Sequence, residues 1–139
     1  MGTVQYILGL DYGNARIGVA VASAIARLPR PLTAIANDET TFAHVRKLVA
    51  DEHAGLVIVG LPRTLSGGYS QQTHAAEQFA HQLAAVLTVP VELADETLTS
   101  VDAEAALAGK KHSKGDIDAL AAAYILERYL AEHPAEVQA

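Results

Sequence analysis

Three carboxylates stand at positions where a sheet and a helix could bring them together. Asp11 ends the apolar run "VQYILGLD", Glu96 directly follows "VPVELAD", and Asp118 lies in the first turn of the helix predicted for "DIDALAAAYILERYLAEH". Carboxylates that converge on one cleft repel one another, and a divalent cation relieves that repulsion. Oxygen-only ligation suits Mg²⁺ or Mn²⁺. Two such ions about 4 Å apart can stabilise both the attacking and the leaving oxygen of phosphoryl transfer.

Each of these acids also has a purely structural interpretation. Asp11 could begin an Asx turn before Gly13. Asp118, together with Asp116, could cap the last predicted helix and favour its positive end. Glu96 could be a solvated loop acid. The residue types alone leave the catalytic and the structural interpretations open.

The elements that would position the acids follow from hydrophobic periodicity. "YILGLDYGNARIGVAVA" predicts two strands joined by a tight turn, and "LPRPLTAIA" predicts a weaker third strand. The remaining pattern predicts the overall order β-β-β-α-β-α-β-α-α. Strands that alternate with helices indicate parallel pairing through right-handed crossovers, whereas the hairpin indicates an antiparallel extension. The predicted fold is therefore α/β, a mixed sheet with helices on both faces.

This arrangement predicts where the acids meet. Ligands in open α/β sheets gather beyond the carboxyl ends of parallel strands. If the first and fourth strands are neighbours and the fifth lies beside the fourth, Asp11 and Glu96 lie at the same end of the sheet. Asp118 shares a helix face with small and apolar residues, namely Ala121, Ala122, Ile125 and Tyr129. The alanines at 121–123 would let this helix approach the sheet closely enough for Asp118 to reach the same cleft.

Length and composition bound the function classes. The chain has 139 residues, a formal net charge of −6 and no cysteine. We expect a single domain over residues 1–139, without disulfides or thiolate metal sites. The acidic balance argues against a protein that coats nucleic acid along its whole surface. No apolar run approaches the roughly 20 residues that span a bilayer, and the start of the chain lacks signal-peptide features, so we expect a soluble cytoplasmic protein without a membrane partner.

Several basic residues are candidates for phosphate contacts. Lys110, Lys111 and Lys114 form a local basic cluster with His112, Arg16 follows the first turn, and Arg63 follows "GLP". They could bind a nucleic-acid backbone beside the acids, or they could be solvated loop charges. The loop "GLPRTLSGG" could cradle phosphates but has no Walker lysine. The six histidines show no spacing typical of a metal site.

Four segments in order carry a family resemblance over most of the chain. "GLDYGNARIGVAVA", "VIVGLPRTLSGG", "ADETLTSVDAE" and "GDIDALAAAYILERYL" together resemble the YqgF/RuvX family of RNase H-like proteins. Members of that family are described as Holliday junction resolvases and as nucleases that mature the 5′ end of pre-16S ribosomal RNA. The resemblance implies a five-stranded mixed sheet, with antiparallel first three strands, flanked by helices.

The family motifs carry over residue by residue. The resemblance implies that Asp11, from "DYG", is the central metal ligand, and that Glu96 and Asp118 complete the metal site and the catalytic set. Water would be the nucleophile that attacks a backbone phosphodiester. Asp116 has no counterpart and stays a helix cap. Thr64 and Ser66 replace the Asn and Asp found in the loop of many relatives, so a phosphate contact there would differ.

Three functions compete at this point. The leading expectation is a metal-dependent endonuclease, dependent on Mg²⁺ or Mn²⁺, that processes the 5′ end of pre-16S rRNA within a ribosome precursor. The first alternative is the same chemistry on branched DNA, as a Holliday junction resolvase. The second alternative is a non-catalytic nucleic-acid or ribosome-assembly binding module. A homodimer would suit the resolvase because it cuts two strands in a paired way, whereas a monomer would favour RNA.

Overall fold

The computed structural model describes residues 5–62, 68–96 and 99–133, apart from the side chains of residues 96 and 99–102. Its elements follow the order predicted from the sequence. The strands are β1 (Tyr6–Tyr12), β2 (Arg16–Ser23), β3 (Arg30–Ala36), β4 (Ala54–Pro62) and β5 (Val91–Glu96). The helices are α1 (Thr41–Asp51), α2 (Gln71–Val86), α3 (Thr99–Leu107) and α4 (Lys114–Glu132). None of the helices in the described ranges combines the length and the apolar character that a membrane crossing requires.

All five strands belong to one mixed sheet in the order β3-β2-β1-β4-β5. β1 pairs antiparallel with β2, and β2 antiparallel with β3, so the expected hairpin extension is confirmed. β1 pairs parallel with β4, and β4 parallel with β5. The neighbour relations on which the convergence of the acids depends are therefore present.

Alternating residues of the strands bury against helices on opposite faces of the sheet. In β1, Ile7 belongs to the core that packs against α4, whereas Leu8 and Leu10 belong to the core beneath α1 and α2. Leu126 and Phe79 are central residues of these two cores. Burying one such side chain contributes roughly 1.5–3 kcal/mol to folding.

Helix α4 lies unusually close to the sheet because two glycines leave room for it. A Cβ atom on Gly9 would lie 2.5 Å from Leu126 Cγ, and one on Gly18 would lie 1.9 Å from the carbonyl oxygen of Asp118. The alanines at 121–123 are all buried, and Ala122 and Ala123 belong to the core between α4 and the sheet. Hydrophobic periodicity does not reveal that these two glycines allow the close approach of α4.

Both ends of α4 are anchored by side chains. At its start, Ser113 N–H donates to Asp116 Oδ2 at 2.9 Å, and Asp116 N–H donates to Ser113 Oγ at 3.1 Å. This capping box satisfies backbone donors that have no partner within the helix. At its end, Arg27 Nη2 donates to the carbonyl oxygen of Leu130 at 2.7 Å and also to that of His133. These contacts at both ends fix the orientation of α4 on the sheet.

The connection from α1 to β4 is a short turn without glycine, since Gly55 already lies inside β4. The left-handed residue of this turn is His53, with φ of 56°. Its ring Nδ1 lies 3.2 Å from the carbonyl oxygen of Ala50, and this local contact accompanies a conformation that most non-glycine residues avoid.

Candidate functional site

The parallel strands β1, β4 and β5 end at the same edge of the sheet. In their register Leu10 pairs with Val59, and Pro62 pairs with Glu96. Asp11 is the next residue of β1 after Leu10 and therefore lies at this edge. The backbone of Glu96 lies there as well, whereas its side chain is outside the described part of the structure.

The same register assigns both positions to the face covered by α4. Asp11 pairs with Gly18, the glycine over which α4 passes, and it alternates with Gly9 on that face. On β5, Glu92 accepts a hydrogen bond of 3.0 Å from the hydroxyl of Tyr129 in α4. Strand periodicity of two then places position 96 on the same face as Glu92. Asp11 and position 96 are therefore assigned to the same edge and the same face of the sheet.

Asp118 reaches this edge from α4. Its residue is half-buried, and its carbonyl packs against Gly18, the cross-strand partner of Asp11. A cavity of about 220 Å³, which we call the cleft, is bordered by both aspartates. Its lining residues are Asp11, Tyr12, Gly13, Asn14, Arg16, Pro62, Gln72, Ala75 and Asp118. The structure thus brings two of the three predicted acids together.

Arg16 forms an ion pair with Asp118. Its Nε–H donates to Asp118 Oδ2 at 2.6 Å, and the two side chains are 40% and 22% exposed. At such a partly solvated position the pair contributes on the order of 1 kcal/mol or less to stability. The sequence predicted phosphate contacts for Arg16, and it did not reveal this partner, which is 102 residues away in the chain.

The turn between β1 and β2 is held by a residue that sequence reasoning missed. Asn37 Nδ2 donates to the carbonyl oxygen of Gly13 at 2.8 Å, and its backbone N–H donates to that of Ala15 at 3.0 Å. Gly13 is required here because a Cβ atom would lie 2.6 Å from the carbonyl oxygen of Arg16. An asparagine directly after the predicted third strand was the only signal available, and it is a weak one.

The remaining predicted site residues lie elsewhere or outside the described ranges. Lys110 and Lys111 are exposed in the turn after α3, and Lys114 is the exposed first residue of α4 rather than part of a loop. None of these three lysines forms an ion pair with a residue that the structure describes. Arg63, Thr64 and Ser66 lie outside the described residues.

The donor chemistry of the cleft suits a hard divalent cation. Two carboxylates border it together with the side-chain amides of Asn14 and Gln72, so that oxygen ligands predominate. Among the described side chains, no group of three or more His, Asp or Glu forms a metal site. The three-carboxylate site, which needs Glu96, stays a prediction.

Comparison with known proteins places the chain in a family. The model of the RuvX family, described as "Holliday junction resolvase", matches residues 5–132. A protein of Chloroflexus aggregans is 46% identical over 132 residues, which cover 91% of this chain and 93% of that protein. A protein of Dechloromonas aromatica is 40% identical over 135 residues, covering 93% of this chain and 90% of that one. Both relatives carry the name "Putative pre-16S rRNA nuclease".

A solved structure shares the fold at low sequence identity. RuvC of T. thermophilus, in complex with a Holliday junction substrate, superposes with a TM-score of 0.54 over 92% of this chain and 95% of the RuvC chain, with 18% sequence identity. The expected RNase H-like five-stranded architecture is thereby confirmed as a RuvC-like fold. Nucleases of this RuvC-like kind are typically metal-dependent. The family match over residues 5–132 and the 46% identity to a curated relative show that this chain belongs to the RuvX (YqgF) family of nucleases.

Proposed function

We propose that this chain is a metal-dependent endonuclease that hydrolyses phosphodiesters and processes the 5′ end of pre-16S rRNA. The observation that carries the proposal is the shared cleft of Asp11 and Asp118 at the carboxyl edge of the sheet. The names of relatives that are 40–46% identical support the choice of RNA as substrate. The substrate is a nucleic acid in either case, whether the protein cuts RNA or branched DNA.

The proposed metal ligands are Asp11, Glu96 and Asp118. Asp11 and Asp118 border one cleft, and the register puts Glu96 at the same edge and face of the sheet. Their all-oxygen donors fit Mg²⁺ or Mn²⁺. When bound, the ion supplies Lewis-acid stabilisation of the charge that develops on the phosphate oxygens.

The chain's own residues position this chemistry. Gly18 lets α4 deliver Asp118 to the strand edge, and Asn37 holds the turn that follows Asp11. A water molecule is the nucleophile, oriented by carboxylate oxygens that accept its hydrogen bonds.

The basic residues bind the phosphates of the substrate electrostatically. Arg16 borders the cleft and is placed to contact the phosphate nearest the cut. Lys110, Lys111 and Lys114 are exposed and free of ion pairs with described residues, so their charges are available to phosphates. We assign Arg63 to the same role from its position in the sequence. Such contacts fix the register of the backbone and carry no sequence specificity.

A second candidate function is resolution of Holliday junctions. The description of the matching family model and the RuvC fold favour it. The chemistry at the carboxylates is the same, and only the substrate and the number of subunits differ. Resolution needs a symmetric homodimer, since two strands are cut in a paired way.

The deciding experiment offers both substrates to the purified protein. A pre-16S 5′-leader RNA and a four-way DNA junction are incubated with Mg²⁺, with Mn²⁺ and with EDTA, using wild type and Asp11→Asn. We expect cleavage of the RNA that needs the metal and is lost in the variant. Cleavage confined to the junction, by a protein that sediments as a dimer, would instead establish the resolvase. Folded, metal-supplied protein that cuts neither substrate would leave a binding module as the function.

A further inference from the structure

A second cavity adjoins the cleft on the opposite side of Tyr12. It measures about 230 Å³ and lies between β1, the start of α1 and one side of α2. Tyr12 and Ala75 line both this cavity and the cleft, so the two are neighbours. We call it the side pocket; its lining residues are Tyr12, Asn37, Asp38, Thr41, Phe42, Ala75, Gln78, Phe79 and Gln82.

The wall of the side pocket is an aromatic stack. The ring of Tyr12 lies 4.7 Å from that of Phe79 at a tilt of 34°, and Phe42 stacks on Phe79 at 5.9 Å. Phe79 is only 5% exposed, so it backs Tyr12 from the core. Tyr12 directly follows Asp11 in the chain. An aromatic surface is therefore held at a fixed position beside the proposed reaction centre.

The polar lining offers amides that the fold itself does not use. Gln78 and Gln82 are exposed, one helical turn apart, and neither hydrogen-bonds a residue of the described ranges. The carboxylate of Asp38 is already occupied, because it accepts from Thr40 N–H at 2.8 Å and from its hydroxyl at 2.6 Å. Asn37 is engaged with the turn after β1. Two adaptable amides thus remain for a ligand.

Charge and size indicate what the ligand is. Among the residues that the structure describes, the lining contains no Lys, Arg or His and includes the acid Asp38, which disfavours a phosphate. The volume lies below the roughly 300–1,000 Å³ of pockets that hold drug-sized molecules. Aromatic surfaces with nearby amide groups are the means by which proteins bind unpaired bases, through stacking and through hydrogen bonds to the base edges.

We propose that the side pocket binds one unpaired nucleobase of the RNA strand, adjacent to the phosphate that occupies the cleft. This proposal rests on the proposed function, since it takes the neighbouring phosphate to lie at Asp11 and Asp118. Gln78 and Gln82 contact the base edge, and Tyr12 contributes aromatic surface. The enzyme consequently requires a splayed nucleotide at the cut, and selects single-stranded or distorted RNA over a continuous duplex.

The test measures binding without cleavage. A short, fluorescently labelled single-stranded RNA that spans the mature 5′ end of 16S rRNA is titrated in EDTA, and an abasic nucleotide is then placed at each position in turn. Wild type should lose about tenfold in affinity at one position next to the cut, as expected for one stacked base. Because none of the described residues that line the side pocket is a proposed metal ligand, this penalty should persist without metal.

The variant that tests the pocket is Gln78→Ala combined with Gln82→Ala. Both side chains are exposed, so the fold should be retained. We expect this variant to bind the intact RNA about threefold to tenfold more weakly, as for the removal of one or two hydrogen bonds, and to show a reduced abasic penalty at that position. Both glutamines also border the groove between α2 and β5, which His81 lines. His81→Ala is therefore the matched control and should behave as wild type.

The outcomes separate this proposal from the proposed function. If the abasic penalty is absent at every position, or is unchanged in the double variant, the side pocket is not a base site even though the nuclease activity stands. If His81→Ala reproduces the effect, the groove toward β5 rather than the side pocket holds the base, and the proposal is wrong. Wild type that binds no RNA in EDTA overturns the proposal, while metal-dependent cleavage would still test the nuclease function separately.

Discussion

Arg16 of β2 and Asp118 of α4 are joined by a 2.6 Å hydrogen-bonded ion pair within the cleft that Asp11 also borders. The guanidinium supplies positive charge to a carboxylate that we propose as a metal ligand. We therefore propose two opposing roles for Arg16: it competes with a divalent cation for Asp118, and it attracts the phosphate of the substrate.

The first prediction concerns this competition. Arg16→Gln should bind Mn²⁺ more tightly than wild type, by up to about fivefold, because a partly exposed ion pair is worth about 1 kcal/mol or less. The same variant should bind RNA more weakly, because glutamine brings no positive charge to the phosphate. Isothermal titration with Mn²⁺ and fluorescence polarisation with RNA measure the two effects. Arg128→Gln, which removes the surface pair of Arg128 with Glu132 at 3.3 Å, should change neither.

A second prediction tests the close approach of α4. Gly18→Ala should lower the free energy of unfolding by about 1–3 kcal/mol, because its Cβ would lie 1.9 Å from the carbonyl oxygen of Asp118 and the helix must move. Cleavage should fall as well, since Asp118 moves with the helix. Urea denaturation followed by circular dichroism gives the first quantity.

Gly115→Ala is the matched control for this prediction. A Cβ atom there would meet Ala34 and Ser113 at ordinary contact distances of 3.5 and 3.6 Å. Alanine also favours a helix over glycine by up to about 1 kcal/mol. The variant should be as stable as wild type or more so. Equal losses at positions 18 and 115 would contradict the packing argument.

The third prediction concerns alkaline pH. Burial, followed by the hydrogen bond to Glu92, raises the pKa of Tyr129 from 10.0 to about 12. A folded-state pKa above that of the unfolded chain contributes stability that is complete below about pH 10 and is lost as pH rises through 12. Tyr129→Phe lacks this contribution, so its unfolding free energy should fall less steeply over that range. If the unfolding free energies of the two proteins changed with pH in parallel, the pKa of Tyr129 would not be raised.

The fourth prediction concerns the three exposed lysines. Replacing Lys110, Lys111 and Lys114 by Gln should weaken RNA binding and reduce the slope of log affinity against log salt by about 0.7–0.9 for each phosphate that the protein no longer neutralises. Binding titrations at several salt concentrations give the slope. Lys47→Gln, on α1 and paired with Asp51 at 2.7 Å, is the control and should keep the wild-type slope. An unchanged slope in the triple variant would mean that these lysines are solvated surface charges.

Local features of the fold were predictable because they depend on neighbouring residues. The apolar runs around Ile7 and Ile58 specify buried strands, and the spacing of Phe79 and Leu83 specifies the buried stripe of α2. The strand order was an assumption that the parallel pairing of β1 with β4 confirmed. Asp116 was assigned as a cap from its place at the helix start, and its capping box with Ser113 agrees.

Three features near the site that sequence reasoning missed depend on contacts between residues that are distant in the chain. Gly18 looks like an ordinary strand glycine until α4 is placed over it. The partner of Arg16 lies 102 residues away in the chain, and Asn37 contacts a residue of the turn that lies 24 residues before it. Periodicity and local motifs carry no information on such pairs. They appear only when packing fixes the helix against the sheet.

The most direct test of the carboxylate site compares two aspartates of α4 that lie two residues apart. Cleavage of the pre-16S leader RNA is measured for wild type, Asp118→Asn and Asp116→Asn, each with Mn²⁺ and with EDTA. We predict that Asp118→Asn loses at least about 100-fold in rate, because it removes a metal ligand, whereas Asp116→Asn keeps its cap and its activity. Activity of Asp118→Asn equal to wild type, or wild-type cleavage that persists in EDTA, would contradict the metal-dependent site.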